Sequence, residues 1–486
     1  MIEYRHPKER PLYVAIADEL EAQIRSGSLP VGERAPSLRA MSRGKRVSIT
    51  TVQQAYYRLE DRGFLSPRAR SGFYVRLPAS ASAPEPRSAT GSTDPATVTV
   101  SGLLHSIIHS FAGARLTQLG AATPGPQHLP TERLNLLLRR TARQDPQLGA
   151  GYEFPPGNAR LRHAIAKRAA TYDGDVAAED VITTVGTMEA LNLSLRAVAR
   201  GGDAVAIESP TYFGILQMIE SLSMKAVEVP THPRLGPDLD SLESAFRRRR
   251  VQACILMANC HNPLGYVLPQ ERKRDLAVLA GKYRVPIIED DIFGDLDYGP
   301  SRPSTVKSFD RTGWVILCSS VSKTLAPGYR VGWVQTQRFR KEIVNLKFVA
   351  TVATPTLQQL VVAQFLETGG YDRHLSRLRR VLRSQVEHYL DAVIRRFPPG
   401  TRITRPQGGY VLWVELPGRI RSLEVYRRAL GQGISITPGD VFSARGRFRN
   451  HLRLSCGHPC TEEVMGALEE IGQICRSLGR RRAEPG

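Results

Sequence analysis

One lysine sits where an apolar strand pattern ends. Residues 314–318 form an apolar run that leads through Ser319, Ser320 and Ser322 to Lys323, with Arg330 seven residues further on. A lysine amine that is desolvated and close to other cations has a lowered pKa and can form a Schiff base with an aldehyde. Ser320 and Arg330 suit a phosphate monoester, the arginine through paired donors. Three more stretches fit beside it. Residues 185–191, VGTMEAL, follow a strand pattern and open a helix, so their amides point outward at the positive helix end, which holds phosphate without a charged side chain. Residues 259–265, NCHNPLG, form an Asn-Pro-x-Gly turn in which Asn262 offers an amide donor at a strand's carboxyl end. Residues 287–291, IIEDD, put carboxylates directly after a β-branched run, where an unpaired charge is costly and a protonated pyridine nitrogen would be a partner. Aldehyde, pyridinium and phosphate together describe pyridoxal 5'-phosphate.

These loops need a frame that brings them to one edge. Apolar strand runs at residues 181–183, 204–207, 253–257, 286–289 and 315–318 alternate with helical patterns such as 187–200 and 270–284. Strands buried on both faces and separated by helices predict a mainly parallel, helix-covered sheet. Ligands of such sheets bind at the carboxyl ends of the strands. Upstream, residues 79–97 read ASASAPEPRSATGSTDPAT, with no large apolar side chain to offset the entropy of ordering. A flexible linker is therefore expected over 78–99, separating a unit at 8–77 from one at 100–480.

In the small unit Leu12, Ile16, Leu20 and Ile24 recur every four residues and predict a helix that stops near Gly27. Ser37 and Ser48 are the expected N-caps of two more helices. The last carries Val52, Ala55, Tyr56 and Leu59 on one face and ends at Gly63. Strand-like pieces at 64–66 and 72–75 flank the basic turn PRARSG, which completes a winged helix-turn-helix pattern. Ser48, Thr50, Thr51, Gln53 and Gln54 are short polar side chains at a helix start, suited to phosphates and base edges. Arg34, Arg39, Arg43, Lys45 and Arg46 surround them, with Arg68 and Arg70 in the wing, and should make affinity for nucleic acid salt-dependent. Residues 12–75 resemble the GntR family of bacterial winged-helix regulators through GERAPSLRAM, VSITTVQQAYYRL and RSGFYV. That resemblance implies that Arg34, Ser37, Arg39, Ser48, Thr50, Thr51 and Gly72 contact double-stranded DNA. Ile49 stands where the family commonly has arginine.

The order Gly-Thr, Asn-Pro-x-Gly, Asp, Ser-x-x-Lys, Arg in the large unit resembles the fold-type I aminotransferases of the aspartate aminotransferase type, over about residues 120–475. The resemblance implies an α/β transferase fold with a smaller α+β C-terminal subdomain. It also implies that Lys323 forms the Schiff base, Asp290 pairs the ring nitrogen and Asn262 hydrogen-bonds the phenolic oxygen. Tyr212 would stack on the ring; Gly186, Thr187, Ser320 and Arg330 would hold the phosphate, with Met188 beside them in the cofactor-binding set. Tyr152 would reach the neighbouring subunit's cofactor. Arg453, in NHLRLSCG, would take an effector's α-carboxylate. Phe293 stands where the family usually has a tyrosine whose hydroxyl shares the phenolic oxygen, so that bond is missing here.

The totals agree with several compact units and an anionic partner. The chain has 486 residues, too many for one core, and a formal net charge of +21. Its six cysteines include no C-x-x-C pair, so neither a zinc site nor a disulfide framework is expected. No apolar run approaches a membrane span, and the charged start lacks a signal-peptide core, so the cytoplasm is expected. A GntR-like winged helix, a flexible linker and an aminotransferase-like domain together resemble the MocR subfamily. That implies a homodimeric, pyridoxal-phosphate-dependent transcriptional regulator whose large domain senses the cofactor itself or an amino acid or amine effector. The competing reading is a working aminotransferase with a vestigial or tethering N-terminal module, and weak transamination is compatible with either.

Overall fold

The computed structural model describes residues 11–26, 28–30, 32–68, 71–75, 84–88, 94–111, 116–174, 176–418 and 420–480, and the chain divides between Ala83 and Pro84 into two units. Gly27, Arg70, half of the expected linker and the end of the basic tail lie outside the described residues.

In the first unit, helices α1 (Leu12–Ser26), α2 (Leu38–Lys45) and α3 (Ile49–Asp61) precede an antiparallel wing of β1 (Leu65–Arg68) and β2 (Gly72–Val75). The four-residue stripe of α1 becomes a buried face, with Ile16, Leu20 and Ile24 in one core with Val52, Ala55, Tyr56 and Leu59 of α3. Both serines cap as expected: Ser37 Oγ accepts the Ala40 N–H at 3.2 Å, and Ser48 Oγ accepts that of Thr51 at 3.0 Å. Tyr56 ties three pieces together. Its hydroxyl donates to Pro36 O at 2.6 Å, and its ring meets Phe73 of the wing edge-on at 5.3 Å.

The second unit is built on a mainly parallel sheet. Lys225–His232, Ala204–Ser209, Ala253–Leu256, Ile287–Asp290 and Val315–Ser320 run parallel in that spatial order. Gly332–Gln335 pairs antiparallel with the last of these, and Val181–Thr184 pairs antiparallel with Gly332–Gln335. Two reversals restore the direction, so Val181–Thr184 ends at the same edge as the parallel strands. Every residue of Val181–Thr184, Ile287–Asp290 and Val315–Ser320 is buried, which is why these strands are continuous apolar runs in the sequence. A smaller antiparallel sheet of Arg402–Ile403, Val411–Glu415, His451–Ser455 and Thr437–Pro438, with the helices Gly370–Arg396 and Glu462–Arg480, makes an α+β subdomain.

The linker expected over 78–99 needs correction where it is described. Pro84 O accepts the Ile403 N–H at 3.0 Å, Glu85 pairs with Arg234 at 2.7 Å, and Arg87 N–H donates to Glu415 at 2.9 Å. Ala96–Thr97 adds an antiparallel strand at the Lys225 edge, and Val98 is buried. The stretch has no large apolar anchor, but backbone ladders and ion pairs need none. The second unit therefore begins before residue 100. Among the described residues no helix is long and apolar enough to cross a membrane.

Candidate functional site

The strand ends surround a cavity of about 250 Å³ in the second unit, to which Thr187, Met188, Tyr212, Asn262, Asp290, Lys323, Arg330 and Arg453 all contribute. Segments spread from Thr187 to Arg453 thus deliver these expected residues to one place.

The phosphate-holding side starts at Gly186, the N-cap of helix Thr187–Val198. Its φ is 80°, and a Cβ there would run into the Arg330 guanidinium, so glycine meets both constraints. Arg330 Nη2 donates to Val185 O at 3.0 Å, and its Nη1 reaches Ser322 Oγ at 3.4 Å. The Val185 N–H donates to Glu189 Oε2 at 2.5 Å, and Glu189 pairs with buried Lys347 at 3.2 Å. Both backbone groups of Val185 are therefore tied, which aims the following amides into the cavity. Thr187 Oγ1 is buried with no hydrogen-bond partner among the described residues. A helix N-terminus beside an uncommitted hydroxyl and a guanidinium is a cradle for a dianionic phosphate.

Lys323 and Asp290 lie on the same cavity. The Lys323 amine donates to Ala122 O at 2.6 Å, and burial, with Arg453 and Arg330 nearby, pushes its pKa down to about 8. Asp290 is buried at the end of its strand, and among the described residues the hydrogen bond to its carboxylate comes from Ile292 N–H at 3.2 Å. Burial pushes that carboxyl up to about 7. A ring N–H⁺ delivered against Asp290 would relieve this. Tyr212 caps the start of helix Phe213–Ser221, and Asn262 takes a guanidinium N–H from Arg453 on its carbonyl at 3.3 Å, which leaves its amide donors free. Pyridoxal 5'-phosphate thus fits the residues present at each of its three functional groups.

Arg453 is 1% exposed, and among the described residues its donors go to neutral oxygens: Gly120 O, Thr437 Oγ1 at 3.3 Å and Asn262 Oδ1. Its Nε is buried without a partner, and burial lowers its pKa to about 10. A buried guanidinium lacking a carboxylate is a receptor for one.

Ser320 and Tyr152 do not line this cavity, the second being expected at a neighbouring subunit's cofactor. Ser320 is a strand residue whose Oγ accepts the Ser322 N–H at 3.3 Å, and the serine that lines the cavity is Ser322. The strand ends at Ser320, and the turn that follows it carries Ser322 to the cavity. Tyr152 is 73% exposed, outside this cavity, with its ring 5.6 Å from that of Phe154. Phe293 lies buried on the cavity wall, 5.7 Å from Lys323 Nζ and edge-on to Tyr410. The pair Glu189 and Lys347 was not singled out from sequence. Its one legible sign was a glutamate three residues into a helix, where it can reach back to an upstream N–H.

In the first unit, Arg34, Ser37, Arg39, Ser48, Thr50 and Gly72 are exposed and Thr51 is half-buried. The Arg34 guanidinium lies over Gly72, whose φ of 96° excludes most side chains and shapes the wing. Ile49 is 48% exposed as the first residue of α3. Lys45 is held by Glu19 at 2.5 Å, so it is less available to a phosphate than Arg39 or Arg43.

Residues 126–471 match the family described as aminotransferase class I and II, and residues 12–75 match the bacterial regulatory proteins of the gntR family. The uncharacterized HTH-type transcriptional regulator YjiR of Escherichia coli is 35% identical over 461 residues, covering 95% of this chain and 98% of its own. The 2-aminoadipate transaminase of Thermus thermophilus is 31% identical over 76% of this chain and 91% of its own. Among solved structures, the alpha-aminoadipate aminotransferase LysN from Thermus thermophilus, complexed with N-(5'-phosphopyridoxyl)-L-leucine, superposes with a TM-score of 0.72 at 28% identity, over 78% of this chain and 95% of that one.

Proposed function

From a chain that belongs to the MocR type of GntR-family regulators, with an aminotransferase class I and II domain, we propose a transcriptional regulator that reads DNA with its winged helix and senses an amino acid or amine with its pyridoxal-phosphate domain. Its cofactor is pyridoxal 5'-phosphate. When bound, that group supplies an aldehyde that captures amines and a ring that withdraws electrons. Lys323 is the amine that holds it; Asp290 keeps the ring nitrogen charged, Asn262 donates to the phenolic oxygen, and Tyr212 covers the ring. Gly186, Thr187, Met188, Ser322 and Arg330 hold the phosphate. Phe293 gives no hydroxyl at the phenolic oxygen, which favours sensing over fast turnover.

The observation that carries the sensing role is Arg453, a buried cation beside the lysine with no carboxylate of its own among the described residues. In the first unit, Arg34, Ser37, Arg39, Ser48, Thr50, Thr51 and Gly72 form the DNA-contacting set. A homodimer is supported by Tyr152, Phe154 and Phe348, an exposed aromatic row whose successive ring centroids lie 5.6 and 6.2 Å apart. Two winged helices per dimer would read paired half-sites in the cytoplasm.

The test compares the wild type with two variants. Lys323→Ala should abolish the visible absorbance of the bound cofactor. Arg39→Ala should weaken retardation of the promoter region without touching that absorbance. Amino-group transfer at ordinary aminotransferase rates, with no retardation of the promoter region, would establish the enzyme reading instead.

A further inference from the structure

Asp290 and Lys323 reach one cavity from the ends of neighbouring parallel strands, where the chain leaves the ladder and its own hydrogen bonds no longer fix a side chain. The residue after each is buried. Asp291 is 2% exposed and Thr324 1%, neither is among the residues lining the cavity, and a chain of hydrogen bonds joins the two. Thr324 Oγ1 lies 2.8 Å from the Tyr371 hydroxyl, which donates to Asp295 Oδ2 at 2.7 Å. Tyrosine has one proton to give, so with that proton on the carboxylate the threonine is the donor of the first bond. Arg302 closes the path. Its Nε donates to Asp295 Oδ1 at 2.8 Å and its Nη2 to Asp291 Oδ2. Further ties hold the members in place: Asn259 Nδ2 donates to Asp291 Oδ1 at 2.9 Å, Arg168 Nη2 to Asp295 Oδ1 at 2.9 Å, and His374 Nε2 to Thr324 O at 2.6 Å. Against the burial that would raise it, Arg302 and Arg168 hold the Asp295 carboxyl well below the usual carboxylate range. Paired charges and directional hydrogen bonds in so dry a place resist displacement.

We propose that Tyr371, Asp295 and Arg302 are positioning residues that fix Lys323 at the separation from Asp290 that the cofactor spans. None of the three is among the residues lining the cavity, so they act through Thr324 at one end and Asp291 at the other. A network cut at either end leaves the cofactor to order what the protein had already ordered, at a cost in affinity. The inference rests on the cofactor assignment of the same cavity.

The experiment titrates the full chain with pyridoxal 5'-phosphate and follows the visible absorbance. Tyr371→Phe removes the hydroxyl and keeps the ring that the Arg168 guanidinium covers at 4.3 Å; it should weaken cofactor affinity about tenfold, the scale of one buried hydrogen bond to a charged group. Thr324→Val should do the same. The double variant should be no weaker than about either single one, because both cut the same bond. Arg302→Ala would strand two buried carboxylates and endanger the fold, so Arg302→Lys tests that end: it keeps the charge, loses the fork that spans Asp291 and Asp295, and should weaken the cofactor comparably. Tyr389→Phe is the control for a merely structural loss, since its buried hydroxyl donates to His458 O at 3.2 Å outside this network, and it should leave affinity unchanged. Unchanged affinity in Tyr371→Phe, Thr324→Val or Arg302→Lys overturns the proposal, as do additive losses in the double variant or an equal loss in Tyr389→Phe. Those results leave the cofactor assignment intact. A wild type with no Lys323-dependent absorbance removes the proposal together with its premise.

Discussion

Asp290 holds a charge that its surroundings oppose until a cation arrives. Burial raises its pKa to about 7, and the opposing hydrogen bond from Ile292 N–H does not reverse the shift. A carboxylate raised in the folded state contributes stability fully below its ordinary pKa, and that contribution is lost as pH rises through the folded value. Cofactor-free Asp290→Asn should therefore melt a few degrees above the wild type at about pH 8, and the gap should close toward about pH 5. Thermal melts of both proteins across that range check it; a gap independent of pH would disprove the burial of charge. Once cofactor is bound the order should invert, because Asn cannot pair a ring N–H⁺. Arg453 gives the complementary case. Arg453→Ala should weaken any carboxylate effector by about a hundredfold while leaving the cofactor bound, on the scale of a truncated buried charge pair.

At the scale of elements, the phosphate turn depends on a helix that never touches the cavity. Lys347 lies on Arg340–Thr351 and holds Glu189, which holds the Val185 N–H. Lys347→Met should leave Glu189 unpaired, loosen the turn and weaken cofactor affinity about tenfold, with Lys347→Arg recovering most of it. Cofactor titration monitored by absorbance tests this, and promoter retardation by the cofactor-free protein should not change. In the winged helix, α3 takes its start from the Ser48 cap and its seat from Leu59 and Tyr56 in the core. Ser48→Ala should cost about 1 kcal/mol of that unit's stability, seen in its unfolding midpoint. These elements were largely legible in the sequence: the α1 stripe, both serine caps and the strands ending at the site follow from spacing and patterning. The strand Gly332–Gln335 was not, because it is four residues long and its pairing is fixed by neighbours far away in the chain.

At the scale of the molecule, the exposed aromatic row predicts a second copy. Val349, 78% exposed beside Phe348, is the position to charge: Val349→Asp should shift the sedimenting species from dimer to monomer and steepen the loss of binding to a two-half-site promoter fragment. An unchanged sedimentation coefficient would place the interface elsewhere. The sequence by itself determined the two units, the cofactor's chemistry and most of the residues that meet at the cavity, since each of those rests on local order: a helix start, a turn, a strand end. Only the tertiary structure decided which serine faces the cavity, that Arg453 is buried without a carboxylate among the described residues, that residues 84–88 are docked rather than loose, and that aromatic rings flank Arg453. Those facts depend on side-chain direction and on contacts between segments hundreds of residues apart, which spacing along a chain does not encode.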